Sequence, residues 1–112
     1  MRKLSILLCL LTINLIGAEY TLTFDVDPNG KATWQNVLKQ YRGLSLTVDS
    51  REKYLELVNA KARVILTANA MDLHVLYGKG SEQEQYEKFL AYQKELSAAC
   101  LELKRLIKLY AK

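Results

Sequence analysis

Oxygen-bearing side chains recur at every second position in Asp25-Val26-Asp27-Pro28-Asn29-Gly30. Asp25, Asp27 and Asn29 can converge on one point inside a tight turn, which is the arrangement a hard divalent cation requires. The plainer reading of the same residues is a turn that ends a strand and leaves two aspartates in water.

The run resembles the first half of an EF-hand-type calcium loop, D-x-D-x-[DN]-G. On that resemblance Asp25, Asp27 and Asn29 take the first three ligand positions, and Gly30 stands where the family needs a bend. Lys31 would lend its carbonyl and Thr33 falls at the ninth position. Asn36 occupies the twelfth, where the family carries a bidentate glutamate, and a strand rather than a helix precedes the loop. The resemblance covers about a dozen residues and implies calcium as the candidate cofactor.

His74 is the single histidine. Asp72 lies two residues from it, and side chains at i and i+2 diverge on a helix. One histidine without clustered cysteines or carboxylates makes a poor metal site, and helical periodicity puts His74 on a solvated face. Lys61 and Asp72 fall inside the apolar arc of their helix, where folding the chain about residue 79 sets Asp72 opposite Tyr86 and Lys61 near Ser97. These residues read either as a polar seam that fixes register or lines a groove, or as side chains that reach the rim, with Asp72 accepting a tyrosine hydrogen bond. No nucleophile elbow, zincin motif or phosphate-binding loop occurs in the sequence.

The elements that must position these residues follow from periodicity. Tyr20, Leu22, Phe24 and Val26 alternate with polar residues, which predicts a half-buried strand. Trp34, Val37, Leu38 and Tyr41 recur at helical spacing and predict a short helix over 32–42 ending at Arg42-Gly43, with a hairpin strand as the alternative. Leu44, Leu46 and Val48 alternate again and allow a second short strand. Asp49 and Glu52 have capping-box spacing, and residues 50–77 hold neither glycine nor proline. Ser81 and Glu84 form a second such box ahead of an equally uninterrupted stretch over 82–111.

Only Gly78-Lys79-Gly80 separates the two long helices, which makes them antiparallel neighbours. Tyr54, Leu57, Val58, Val64, Ile65, Ala68, Met71, Val75 and Leu76 form one stripe on the first, and Leu55, Ala62, Leu66 and Leu73 a second beside it. Faces that wide need more than one neighbour. The expected fold is therefore mainly α: an antiparallel helical hairpin, a short third helix and a small N-terminal β element. The N-terminal segment or a second copy must cover the hairpin, and both are expected.

The start of the chain is of another kind. Met1-Arg2-Lys3, the apolar run Leu4–Ile16 and Gly17-Ala18 resemble a secretory signal peptide over 1–18, leaving one helical domain over 19–112. The run is shorter than the roughly 20 residues a membrane-spanning helix needs. Its removal takes Arg2 and Lys3 but no acidic group, so the net charge falls from +4 to +2. Little compositional support for nucleic-acid binding survives. Cys9 leaves with the signal, and Cys100 is then a lone thiol that is buried, bridged to another chain or reactive.

These features point to a small exported protein, periplasmic or secreted, without enzymatic activity. It would bind a protein partner or a second copy through apolar helical faces, with no nucleic acid and no stable membrane span. The alternative is a calcium-binding module built on Asp25–Asn29.

Overall fold

A computed structural model describes residues 19–111, and the expected signal segment 1–18 lies outside the described residues. The described chain is mainly helical. In order it forms β1 (Tyr20–Thr23), α1 (Thr33–Leu38) continued by a 3-10 turn (Lys39–Tyr41), β2 (Ser45–Val48), α2 (Arg51–Tyr77) and α3 (Glu82–Tyr110).

β1 and β2 pair antiparallel, with Tyr20 opposite Val48 and Leu22 opposite Leu46. The period of two sends Leu22, Leu46 and Val48 inward, while Thr21–Thr47 and Thr23–Ser45 join hydroxyls at 2.9 Å on the outer face. α1 is thus carried on the connection between two paired strands. Gly43 closes that connection with φ +79°, a conformation glycine adopts without strain, and its N–H donates to the Phe24 carbonyl at 3.0 Å. The 32–42 segment is helical, not a hairpin strand: β1 takes β2 as its partner.

α2 and α3 pack along their length as the expected hairpin. Ser81 caps α3, its hydroxyl accepting from the Glu84 N–H at 3.2 Å. At the start of α2 the expected cap is displaced by one residue. Ser50 is the cap, accepting from the Lys53 N–H at 3.2 Å, while Asp49 forms an ion pair with Lys53 at 2.9 Å. Both residue types cap well, and spacing alone did not separate adjacent candidates.

The sheet and α1 lie across the hairpin, and the core forms between them. Phe24 and Leu38 from the N-terminal part meet Leu57 and Val64 of α2 and Leu103 and Leu106 of α3, all fully buried. The cover is partial. The buried residues of α2 end at Ala68 and those of α3 begin at Leu96, so no residue from Asn69 to Glu95 is buried. The tip half of the hairpin projects beyond the core.

Candidate functional site

The polar residues inside the apolar arc of α2 reach the N-terminal cover rather than the facing helix. α1 begins at Thr33 after Ala32, which has no side-chain acceptor for the first-turn amides. Asp72 supplies one from a distance. Its Oδ2 accepts the Thr33 backbone N–H at 3.1 Å, and its Oδ1 accepts the Thr33 hydroxyl. Gln35 reaches back to the Ala32 N–H at 3.3 Å, so two first-turn donors of α1 are satisfied by side chains. Asp72 makes these hydrogen bonds to Thr33 rather than to Tyr86, which is exposed. Lys61 lies with its Nζ 5.4 Å from the centre of the Phe24 ring, a cation–π contact with the cover.

His74 is half-buried rather than solvated. Its Nε2 lies 2.9 Å from the Gln85 carbonyl oxygen. A carbonyl only accepts, so Nε2 carries the proton in this contact. The imidazole also packs on Tyr92 at 5.5 Å between centroids, which ties α2 to α3 just below the turn. His74 and Tyr92 border a shallow groove of about 660 Å³ that is also lined by Lys88, Ala91, Lys94, Glu95 and Ala98.

Cys100 is a half-buried free thiol packed against the core, and burial raises its pKa. A thiol raised in this way is a weaker nucleophile at neutral pH than an exposed one. The tyrosines line the rim: Tyr20 stacks on Tyr54 at 5.6 Å, Tyr41 tilts against Phe24 at 5.6 Å, and the Tyr110 hydroxyl donates to Glu56 at 3.2 Å. Partial burial, with that bond to Glu56, holds the Tyr110 phenol above its usual pKa.

In the loop, Asp25, Asp27 and Asn29 are all exposed. Asp27 closes an Asx turn, its Oδ1 accepting the Asn29 N–H at 2.9 Å and its carbonyl the Gly30 N–H at 3.1 Å. The Thr33 hydroxyl, expected at the ninth position, is committed to Asp72. Arg42 lines the same hollow as Asp25 and Asp27, so a guanidinium already supplies positive charge there. Among the described residues no three histidine, cysteine or carboxylate side chains gather as a metal-binding group. Gly30 does not take positive φ; its hydrogen leaves room for Gln35, whose Oε1 occupies the place where a β-carbon would stand.

Apolar surface is the remaining feature. Leu66 and Leu73 of the second stripe are 68% and 57% exposed, and Val75, Leu76, Tyr86 and Leu90 stand open on the projecting tip. No helix among the described residues is long and apolar enough to cross a membrane. Comparison with protein-family models, curated proteins and solved structures finds no match.

Proposed function

We propose that this chain is a small exported, periplasmic binding or adaptor protein without catalytic activity, and that the tip of its helical hairpin docks a protein partner. The observation that carries this reading is the run from Asn69 to Glu95, in which no residue is fully buried and Val75, Leu76, Tyr86 and Leu90 are apolar and open. Several large apolar side chains left open on one projecting end of a small protein are a common mark of an interaction site. Aromatic and aliphatic anchors of this kind are what interface centres use.

The polar groups best suited to chemistry are engaged in holding the fold. Asp72 caps α1, His74 is bonded across the hairpin turn, and the Cys100 thiol is half-buried with its pKa raised. That division of labour supports binding over catalysis.

A photo-crosslinking side chain at Tyr86 of the full chain, expressed in a host that exports it, tests the reading. A discrete adduct is expected at Tyr86, and none at Lys39 on the exposed 3-10 turn. Equal, diffuse labelling at both positions would refute it.

A further inference from the structure

We infer that the outer face of α3 is a peripheral docking surface for an anionic phospholipid bilayer. It runs from the base of the hairpin tip towards the end of α3. It is independent of the protein partner proposed above for the tip.

Helical spacing sets the surface. Lys94, Leu101, Lys104, Arg105, Lys108 and Leu109 fall within an arc of about 140° on a helix that turns about 100° per residue. The arc lies opposite the edge of α3 that Leu96, Ala99, Leu103 and Leu106 bury in the core. Neither α2 nor the N-terminal cover stands over it, because both pack on that buried edge. All four basic side chains are exposed, and Leu101 and Leu109 stand 67% and 59% open among them. The patch is about 22 Å long at 1.5 Å per residue.

The charge on this arc is largely uncompensated. From Leu96 to Ala111 the one acidic side chain is Glu102, which falls just outside the arc and pairs with Arg105 at 2.7 Å. Among the described residues Lys94, Lys104 and Lys108 form no ion pair. The helix dipole favours cations in the last turn only, and Lys94 and Lys104 stand before it. The dipole also gives no reason for an open leucine between them.

The two components together select the partner. Each lysine or arginine close to an anionic membrane surface strengthens binding roughly five-fold. Leucines beside them gain by entering the boundary of the acyl chains. The lysine stems lie along that boundary while their ammonium groups stay among the phosphates. A nucleic-acid backbone would take the charges and leave Leu101 and Leu109 in water. A folded acidic protein would seat its anchors in recesses, and one convex helix face offers none. A plane of headgroups asks for neither a recess nor a base edge.

The test uses the full chain with Cys9→Ser, Cys100→Ser and Leu101→Cys, the new thiol carrying an environment-sensitive dye. Vesicles of phosphatidylcholine with phosphatidylglycerol are expected to shift the dye to the blue, and vesicles of phosphatidylcholine alone to leave it as in water. With Leu66→Cys labelled instead, on the outer side of α2, the dye is expected to stay in water on both. This placement of the dye separates docking through α3 from any binding by residues 1–18. Lys104→Ala with Lys108→Ala should weaken the dye-reported binding by about 25-fold with helical content unchanged, and Lys104→Arg with Lys108→Arg should retain it. Molar salt should release the protein. An unshifted dye at position 101 on the anionic vesicles overturns the inference, as does an equal shift on the neutral ones. A shift with duplex DNA or polyglutamate, and none with vesicles, overturns it too. None of these outcomes touches the tip reading, which stands or falls on the adduct at Tyr86.

Discussion

The carboxylate of Asp72 on α2 accepts both the backbone N–H and the hydroxyl of Thr33, 39 residues earlier in the chain. One side chain thereby serves as the missing cap of a short helix and as the tether between the N-terminal cover and the hairpin. A helix of six residues does not stand on its own propensity, so α1 depends on tertiary bonds of this kind. Asp72→Ala is expected to destabilise the protein by about 1–2 kcal/mol, the usual worth of a lost cap or charge-assisted bond. Thr33→Val removes only the hydroxyl half and should cost less. A double-mutant cycle read by urea unfolding should return a clear coupling between the two positions; strict additivity would count against the tether.

Gly30 and Gln35 form a second coupled pair. A β-carbon at Gly30 collides with the far end of the Gln35 side chain, not with backbone. Gly30→Ala should therefore cost about 0.5–1.5 kcal/mol by displacing the Gln35 bond to the Ala32 N–H. The cost should largely vanish when Gln35→Ala is already present. A penalty that survives in that background would mean the backbone itself demands glycine.

Leu57 and Leu66 look alike in sequence and are not alike in the fold. Leu57 is fully buried, whereas Leu66 is 68% exposed. Leu57→Ala should cost about 2–5 kcal/mol, transfer and cavity contributions together. Leu66→Ala should stay within about 0.5 kcal/mol. Chemical denaturation reads both, and an equal cost at the two sites would contradict this placement of the core.

Burial raises the pKa of the Cys100 thiol. The thiolate fraction at a given pH is then smaller than for a free cysteine, so alkylation at pH 8 should run several-fold slower than for glutathione. The rate should climb toward the glutathione value in urea as the core opens. A native rate equal to that of glutathione would show a thiol held in water. Because the folded pKa is raised above the unfolded one, the contribution of the neutral thiol to stability is fully present below the unfolded value. It is lost as pH rises through the folded value.

The Asp27 loop gives a prediction for calcium. Asp27 is already the acceptor of an Asx turn, Thr33 is bonded to Asp72, and Arg42 lines the same hollow. Millimolar calcium is expected to leave Tm unchanged. A cation bound at 100 times its dissociation constant would instead add about 2.7 kcal/mol, several degrees in a chain of this size. Asp27→Ala should destabilise equally with calcium and with a chelator. A calcium-dependent difference would revive the cation site.

Sequence alone determined the mainly helical class, the hairpin, the first strand and the cap at Ser81, and allowed the second strand. Each rests on local rules: the period of side chains, the breaks at Gly78 and Gly80, and the reach of a serine hydroxyl into the first turn that follows. Asp72 and Lys61 were legible only as oddities and His74 only as a solvated residue, because periodicity names the face of a helix without naming its neighbour. The absence of a capping side chain at Ala32 was the one local sign that α1 would borrow an acceptor from elsewhere. Tertiary structure alone decided that Asp72 turns to Thr33 rather than Tyr86, that His74 bridges the turn, and which leucines are covered. Burial is a property of what packs where, and the N-terminal cover is shorter than the hairpin it crosses. The core consequently ends at Ala68 and Leu96, and leucines of equal hydrophobicity on either side of that limit divide between interior and surface.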